Sequence, residues 1–496
     1  MRYVTPLLLA CILPLGACTL GPDYAGPPSV LPPAQSGTSF VRTGDAPVTS
    51  AAPALARWWE ALDDPVLDDL ERQALSASPD IAAARGRLRQ AQAALRLQRA
   101  DDLPDVSASA TYLHARLPGI ELDQSGDGES TGDEAGDGSS GVSAIDFFNL
   151  GFTASWEADL FGGQRRSVEA VTAQLEAAEA SVADAQVTLT AAVAQAYVRL
   201  REVQQRISYA RAGNAMQQRQ LELTRQRFAQ GTVSQIEVEQ LQRQAEESTA
   251  QAMPLGAEAE GYANALAVLT GQAPGALDAV LIEEAPIPLP PASVAIGDPA
   301  SLLQRRPDIR AAERRLAEQT ARIGITEAAR FPRLSFLGIL GIGGTDLGAL
   351  RNLDDFTAVA APMLQWSVLD FGRSRARVDQ AEAVRDEALA QYRSTVLDAL
   401  RDAEDVLSRF RYRRLTTAGL ARAEESTART AALMRQRYEA GTTTLIDVLE
   451  AERQHVLAQR SLATATAELT EDYVAIQKAL GLGWEQAAPQ ESASAN

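Results

Sequence analysis

Residues 164–228 read QRRSVEAVTAQLEAAEASVADAQVTLTAAVAQAYVRLREVQQRISYARAGNAMQQRQLELTRQRF, and this stretch decides the fold. It contains no proline, and Gly213 is its only glycine. Apolar residues recur along it in steps of three and four, the period of a coiled-coil seam: Val168, Val171, Leu175, Ala178, Val182, Ala185, Leu189, Val193, Ala196, Leu200, Val203 and Ile207. The stretch predicts a helix roughly 95 Å long, whose narrow apolar stripe must be buried against other helices.

The chain is a tandem duplication, because motifs around this helix return in the same order. The matches are Ser78-Pro79-Asp80-Ile81 with Arg306-Pro307-Asp308-Ile309, Leu103-Pro104 with Phe331-Pro332, Trp156 and Phe161-Gly162 with Trp366 and Phe371-Gly372, and Arg225-Gln226-Arg227-Phe228 with Arg435-Gln436-Arg437-Tyr438. Self-similarity over about 200 residues is far more specific than a short motif. Each copy is predicted to run helix, strand, strand, very long helix, tight turn and helix, with residues 373–438 as the second long helix.

Two pairs of predicted strands have a different pattern. Phe148, Leu150, Phe152, Ala154 and Trp156 alternate with polar or small residues, and residues 106–112 alternate in the same way. Strands are predicted at about 104–115 and 147–157, and again at about 334–343 and 356–367, where Pro362 is awkward for a central strand. The alternation fits transmembrane barrel strands and, equally, the half-buried strands of a soluble sandwich. Four strands cannot close a barrel, so membrane strands here would require several chains to share one.

Composition narrows the classes of function. The chain is 46% hydrophobic, which excludes disorder as an overall description, and its alanine-rich, aromatic-poor content is typical of long helices. The formal net charge is −19. Since contact with phosphates needs a basic face, we predict that the chain binds no nucleic acid.

The N-terminus predicts export and lipid attachment. Arg2 precedes an apolar run that is shorter than the roughly 20 residues needed to span a bilayer, which is typical of a signal peptide. Leu15-Gly16-Ala17-Cys18 matches the bacterial lipobox, in which the cysteine becomes the acylated first residue. Removal of residues 1–17 leaves Cys18 as the only cysteine, which favours lipidation over an ordinary secretory signal. Thr19, rather than aspartate, follows it, which favours the outer membrane.

These patterns divide the chain into six predicted parts. They are a signal peptide at 1–17, a lipid-anchored extended segment at 18–53, the first repeat at 54–270, an inter-repeat link at 271–303, the second repeat at 304–482 and a flexible tail at 483–496. The Pro-rich stretch from Gly21 to about Ser50 is predicted to be weakly ordered.

No pattern for catalysis or metal binding stands out, and we predict no enzymatic activity, no cofactor and no metal. His114 on a predicted strand and His455 on a predicted helix are the only histidines, with no ligands or nucleophile patterned around them. Asp370-Phe371-Gly372 superficially resembles the kinase metal-binding triplet, but its counterpart Leu160-Phe161-Gly162 indicates a structural strand-to-helix corner. The acidic, Gly/Ser-rich stretch 121–141 lacks the spacing of a calcium loop. We interpret it as a solvated extracellular loop, with weak cation binding as the alternative.

Taken together, the motifs resemble the outer-membrane factor family of tripartite efflux systems, the TolC-like proteins, and specifically its lipidated branch. The resemblance covers nearly the whole mature chain. It depends on the lipobox followed by Gly21-Pro22-Asp23-Tyr24, on Arg57-Trp58-Trp59, on Arg305-Arg306-Pro307-Asp308-Ile309, on Asp370-Phe371-Gly372 and on Arg437-Tyr438 with Gly441.

This resemblance implies a mainly α fold with a small β part. The duplicated long helices would form an α-barrel, and four strands per chain would contribute to a shared 12-stranded transmembrane β-barrel in a homotrimer. Residues 54–75, 272–303 and 471–484 would form an equatorial belt.

The implied function is passive conduction of drugs or other small solutes through a gated duct across the bacterial outer membrane. The implied partners are further copies of the chain, a periplasmic adaptor (membrane fusion) protein, an inner-membrane pump of the RND type and outer-membrane lipid. A conduit of the same fold for protein secretion is the alternative, which the lipobox disfavours. A structural periplasmic lipoprotein without membrane strands is the alternative from another class.

Two groups of residues near the predicted turns are candidate sites. Ile446, Glu450 and Arg453 lie at i, i+4 and i+7, and so form one stripe on their helix. The resemblance implies that this stripe is the periplasmic gate, although relatives often have leucine and aspartate where this chain has Ile446 and Glu450. From the residues alone, it is a seam isoleucine beside a solvated ion pair. The repeat-one counterparts are Ile236, Gln240 and Arg243, so the acidic member belongs to one repeat only.

The second group is the pair of tight turns, which we expect to be the periplasmic tips that dock the adaptor. Their candidate residues are Arg227, Gly231, Thr232, Arg437, Gly441 and Thr442.

Overall fold

The computed structural model describes residues 19–30, 39–118, 142–345, 348 and 356–485. The predicted signal peptide, Cys18, the acidic stretch 121–141 and the end of the chain beyond residue 485 lie outside these residues. The described residues form two compact units. The first is drawn from residues 19–25, 92–173 and 317–387, and the second from residues 26–91, 174–316 and 388–485.

Most of the described chain is helical, which confirms the mainly α fold class. A 3-10 helix (Trp58–Leu62) is accompanied by α1 (Pro65–Ala77), α2 (Pro79–Ala100), α3 (Gly163–Ala229), α4 (Gln235–Leu269), α5 (Asp278–Leu281), α6 (Pro299–Arg305), α7 (Pro307–Ala328), α8 (Arg373–Glu439) and α9 (Leu445–Ala479). Helices α3 and α8 each contain 67 residues, and their bounds lie within one residue of the predicted ones. The two predicted very long helices are therefore confirmed.

The small β part consists of two sheets. Its strands are β1 (Val48–Thr49), β2 (Asp105–Pro118), β3 (Val142–Ala158), β4 (Val294–Ala295), β5 (Arg333–Gly344) and β6 (Phe356–Gln365). Strands β1 and β4 pair in parallel, and the other four form an antiparallel sheet in the order β2-β3-β5-β6. Strands β2 and β3 continue beyond their predicted ends because the backbone ladder runs on to the pair Pro118–Val142.

The buried stripe of α3 differs from the predicted seam over the first half of the helix. Ala170, Ala173, Ala177, Ala180 and Ala183 are buried, whereas the larger residues of the predicted seam up to Ala185 are only partly buried. From Leu189 onward, Leu189, Val193, Leu200 and Val203 are buried as predicted. Small side chains let neighbouring backbones approach closely, so a helix that packs tightly buries its alanines rather than its bulkiest apolar residues.

The second unit has one large apolar core. Residues of the 3-10 helix, α1, α3, α8 and α9 meet there, and they include Trp58, Leu67, Val193, Phe410 and Tyr473. The Tyr473 hydroxyl donates a hydrogen bond to the carbonyl oxygen of Trp58 at 3.2 Å, which ties the last helix to the start of the first repeat. Burial raises the pKa of Tyr473 to about 12. This phenol is thus a neutral hydrogen-bond donor in the core.

The Pro-rich N-terminal segment is not weakly ordered in its described parts, contrary to our expectation. Phe40 is buried in the core, and the Glu404 carboxylate on α8 accepts hydrogen bonds from the backbone amides of Val41 and Arg42, each at 2.8 Å. Strand β1 then pairs with β4. The prolines of the N-terminal segment reduce the entropy of the unfolded chain, and these contacts hold the segment in place.

Candidate functional site

The four-stranded sheet presents a continuous apolar face that no other described element covers. In register across the strands, Val106 lies opposite Ala154, Phe152 opposite Leu340, and Leu340 opposite Ala358. The large members of this face are exposed, and they include Leu150, Phe152, Phe336, Leu340 and Trp156. Over residues 105–111 of β2 and 149–157 of β3, the other face is polar or small, with Ser107, Ser109, Thr153 and Ser155. This is the arrangement of a sheet whose one face meets lipid and whose other face meets water.

Aromatic residues mark both ends of the apolar face. Trp156 stacks on Phe336 at 5.7 Å between ring centroids, and at the other end Tyr112 stacks on Phe148 at 4.9 Å. Trp156 and Phe148 are eight residues apart on β3, which is about 27 Å along the strand and about 21 Å along the membrane normal at a tilt of about 40°. The spacing is close to the apolar band of about 25 Å found in outer-membrane proteins. None of the helices in the described part of the chain has the length and hydropathy to cross a membrane.

Pro362, which is awkward for a central strand, lies on β6, at one end of the sheet order. An edge strand tolerates proline because its outer amides are not needed within the chain. Strand β2 lies at the opposite edge, and no described strand pairs with the outer side of either.

Both tight turns have the same hydrogen-bonded geometry. In the first, Gly231 has φ +71°, its amide donates to the carbonyl oxygen of Phe228 at 2.8 Å, and the amide of Thr232 donates to that of Arg227 at 3.0 Å. In the second, Gly441 has φ +74°. Its amide donates to the carbonyl oxygen of Tyr438 at 2.9 Å, and the amide of Thr442 donates to the carbonyl oxygen of Arg437 at 2.9 Å. These are glycine-terminated helix ends of the Schellman type.

A capping box starts the following helix after each turn. Ser234 and Glu237 form it at the start of α4, and Thr444 and Asp447 form it at the start of α9. Each box satisfies two of the backbone groups that a helix start leaves free. An added Cβ at Gly231 or Gly441 would meet no heavy atom within 4 Å. The turns are therefore preformed and open to solvent.

The structure brings Glu450 and Arg453 together on α9 as a forked ion pair. The Nε and Nη2 atoms of Arg453 donate to the two carboxylate oxygens of Glu450 at 2.9 Å and 2.7 Å, and Gln454 donates to the same carboxylate at 2.8 Å. The hydrogen bonds from Arg453 hold the pKa of Glu450 below its ordinary value. Ile446, one turn earlier, is half-buried, whereas its counterpart Ile236 is exposed.

The first repeat has no equivalent of this pair. Gln240 stands where Glu450 does, and Arg243 pairs instead with Glu247 in an exposed i, i+4 contact at 2.6 Å. Farther up the turn, Arg225 of the first repeat donates to the neutral Gln242, whereas Arg435 of the second forms an ion pair with Glu452. The second hairpin thus carries additional acidic groups next to its arginines.

The other sequence candidates have structural roles or stay apart. His114 lies 2.8 Å from Asp146, while His455 lies 3.6 Å from Glu424. Within the described ranges, no group of three His, Cys, Asp or Glu side chains is arranged to hold a metal. Asp370 accepts hydrogen bonds from the amides of Gly372 at 3.0 Å and Ser374 at 2.8 Å, and so caps the start of α8.

Sequence reasoning missed several buried charged residues, and two of them matter for the arguments below. Arg166, on the first turns of α3, binds the N-terminal segment, and Glu71 of α1 has no hydrogen-bond partner for either carboxylate oxygen. Glu71 could have been found, because Leu67, Leu70, Glu71 and Ala74 follow the i, i+3, i+4, i+7 spacing of a buried helix face. No sequence pattern marks the contacts of Arg166.

Comparison with known proteins decides the family. The model of the outer membrane efflux protein family matches residues 70–272 and 299–482, one segment in each repeat. The chain belongs to this family. It is 30% identical to nodulation protein T of Rhizobium leguminosarum bv. trifolii, over 97% of both chains. It is 29% identical to the toluene efflux pump outer membrane protein TtgI of Pseudomonas putida, over 96% of this chain and 98% of that protein.

Among solved structures, the chain is similar to the outer-membrane channel OprN, with a TM-score of 0.82 and 33% identity over 94% of this chain and 100% of that one. The motif-based assignment to the outer-membrane factor family is thus confirmed. This member of the family is an outer-membrane efflux protein, and the family consists of channel proteins rather than enzymes.

Proposed function

We propose that the chain forms a homotrimeric, passively conducting duct that carries small solutes from a periplasmic adaptor and an inner-membrane pump of the RND type to the exterior. The observation that carries the proposal is the four-stranded sheet, with its one exposed apolar face and its two unpaired edges. A lipid-facing sheet cannot leave its edges open, because no water is available there to satisfy the backbone. Edge-to-edge pairing between copies removes the problem, and three copies supply twelve strands.

The internal repeat supports a second copy as the missing neighbour. Within one chain, Phe161 at the first strand-to-helix corner stacks on Phe331 at 4.8 Å. Their repeat counterparts are Phe371 and Leu103, which are 91% and 66% exposed. If the same contact recurs between repeats of adjacent chains, Phe371 of one copy covers Leu103 of the next. Such a head-to-tail contact forms a ring when its rotation closes, and we propose that it closes after three copies.

Solute conduction, with no catalysis, fits the described contacts better than the alternatives do. A structural periplasmic lipoprotein would have no use for the exposed apolar face with its two aromatic bands. Small solutes are favoured over protein cargo because a relative over almost the full length is named for toluene efflux. We further propose that Cys18 is acylated and holds the N-terminus at the outer membrane, where two or three acyl chains anchor a protein firmly.

The periplasmic ends of the helices carry the other two proposed sites. The preformed turns at Gly231-Thr232 and Gly441-Thr442, flanked by the exposed Arg227 and Arg437, dock the adaptor. The gate is the stripe of Ile446, Glu450 and Arg453, which lies roughly 8–18 Å from Gly441 by helical rise. Threefold repetition turns this stripe into an apolar ring followed by a charged ring, and a narrow apolar ring can close by dewetting.

Two experiments test the proposal. The purified, acylated protein in planar bilayers should show discrete conductance steps; a protein that binds the membrane but passes no current would contradict it. Leu103→Cys combined with Phe371→Cys should give oxidative cross-links that end at three chains, whereas Tyr112→Cys, exposed farther along β2, combined with Phe371→Cys should give none. A ladder that ends at two chains, or equal cross-linking by both pairs, would refute the trimer.

A further inference from the structure

A buried arginine of α3 holds the segment that follows Cys18. The side chain of Arg166 is 5% exposed. Its Nε donates to the carbonyl oxygen of Leu20 at 3.0 Å, and its Nη2 donates to that of Gly21 at 3.2 Å and to the Asp23 carboxylate at 2.6 Å. Its Nη1 donates to Glu169 at 2.7 Å. Three of these four contacts go to the N-terminal segment, and two go to its backbone.

Close packing of glycines also holds the same segment. Gly21 has φ +86°, and a Cβ there would lie 2.4 Å from the Cα of Gly324 on α7. A Cβ on Gly324 would in turn lie 2.7 Å from the carbonyl oxygen of Leu20 and 2.8 Å from the Cγ of Arg166. Only glycine fits both positions, since each backbone occupies the space that a side chain would need.

The held segment lies at the corner between the sheet and the helices. The amide of Leu20 donates to the carbonyl oxygen of Phe161 at 3.3 Å. A Cβ on Gly162 would lie 2.7 Å from the Cα of Thr19. Phe161 follows the end of β3 by three residues and stacks on Phe331, so this corner borders the aromatic band of Trp156 and Phe336. The amphipathic ring of Trp156 is of the kind that marks a membrane interface.

Comparison of the two repeats shows that Arg166 and Gly324 are not required by the strand-to-helix corner itself. The repeat-two counterpart of Arg166 is Ala376, and the repeat-one counterpart of Gly324 is Arg96. A feature required by every strand-to-helix corner would occur in both repeats. These two residues occur only where the N-terminal segment passes, so their function concerns that segment.

We propose that residues 19–23, Arg166 and Gly324 form a latch that fixes the lipid-bearing N-terminus beside the aromatic band of the sheet, so that the acyl chains enter the membrane at a set position. The proposal rests on the acylation of Cys18 proposed above. Because consecutive Cα atoms are about 3.8 Å apart, a lipid on the residue before Thr19 has almost no slack relative to the latch. The lipid then acts as a fixed membrane contact of the sheet and not as a loose tether, and it places the strands for insertion.

Hydrogen exchange on the full chain in nanodiscs tests the latch. The amide of Leu20 should be protected in the wild type and should exchange at least tenfold faster in Arg166→Met and in Gly324→Val. Arg315→Met, at an exposed position of α7, and Gly261→Val, where an added Cβ meets nothing within 4 Å, are the matched controls and should leave it unchanged. An unprotected Leu20 amide in the wild type overturns the latch without any variant.

A spacer tests whether the latch positions the lipid. Insertion of Thr-Ser-Gly-Ser-Gly-Ser between Cys18 and Thr19 leaves residues 19–23 free to bind Arg166 and keeps threonine after the cysteine. We expect Leu20 to stay protected while trimer assembly in pulse-chase labelling slows at least threefold. Assembly at the wild-type rate overturns the positioning role. Mass spectrometry of the N-terminal peptide separates the two proposals: an unmodified Cys18 with a protected Leu20 refutes acylation, and with it the positioning of a lipid, but not the segment's binding.

Discussion

The buried carboxyl group of Glu71 should make the stability of the second unit depend on pH. Glu71 is fully buried, and neither of its carboxylate oxygens has a hydrogen-bond partner. Burial raises its pKa well above the ordinary value, and the neighbouring charge of Asp68 on the same helix raises it further. A carboxyl group in such a position is most stable when it is protonated.

The direction of the pH effect follows from proton binding. A raised folded-state pKa means that the folded chain holds a proton that the unfolded chain has released. Between the unfolded pKa and the folded pKa, stability therefore falls as the pH rises, by up to about 1.4 kcal/mol for each pH unit at this one site. Below the unfolded pKa both states are protonated, and the site has no pH-dependent effect.

Glu71→Gln removes the titration while it keeps the shape of the side chain. Its unfolding free energy relative to wild type should grow as the pH rises above the unfolded pKa, by about 1.4 kcal/mol per pH unit until the folded pKa is reached. Denaturant unfolding of the detergent-solubilised protein, followed by circular dichroism, measures this difference. Glu239→Gln, at an exposed position of α4, is the matched control and should run parallel to wild type. If the unfolding free energy of Glu71→Gln also changes with pH in parallel with that of wild type, the folded-state pKa of Glu71 is not raised, and the prediction is wrong.

Three further predictions concern the proposed gate, the turns and Arg306. Glu450→Gln leaves Arg453 unpaired and should shift the reversal potential towards anions, while Arg453→Met should shift it towards cations; equal potentials in both variants would place the gate elsewhere. Gly231→Val with Gly441→Val should lower adaptor cross-linking but keep trimers, because a valine in the left-handed conformation costs about 1–2 kcal/mol at each turn, without a clash. The double asparagine variant should retain cross-linking, because asparagine tolerates positive φ. Unchanged cross-linking in the valine variant would leave the turns as simple helix ends. Arg306→Met should destabilise the chain by about 1–3 kcal/mol in the same unfolding assay, since Arg306 forks onto Asp308 and donates to the carbonyl oxygen of Ala479 at 2.9 Å. No measurable loss of stability would contradict a stabilising role for these hydrogen bonds.

The elements of the fold could be predicted because their signals are local. The ends of α3 and α8 are marked by Gly162, Gly231, Gly372 and Gly441, whose positive φ angles stop or start a helix whatever surrounds it. The alternation on β3 follows directly from the pleat of a strand, and the observed register places its apolar residues on one face.

The remaining features depend on contacts between distant parts of the chain. Nothing near Arg166 indicates that its partners are Leu20 and Gly21, because the pairing exists only once the corner has formed. The stripe of alanines on α3 was missed for a related reason. The free energy of transfer from water to the protein interior predicts that the largest apolar residues are buried. The separation between packed helices, however, decides which residues fit.

The open edges of the sheet have a consequence for how the protein is made. A single chain that presents unpaired β2 and β6 edges beside an apolar face is a template for wrong pairing as much as for right pairing, so it needs protection until its neighbours arrive. Pairing of the two edges then depends on the supply of further chains, so its rate falls as chains become scarce. Because each chain pairs with two others, a chain with a blocked edge also inactivates the normal chains that assemble with it. If half of the chains carried a blocked edge, about one trimer in eight would be free of it, so a minority of sound ducts would remain in a cell with ample sound protein.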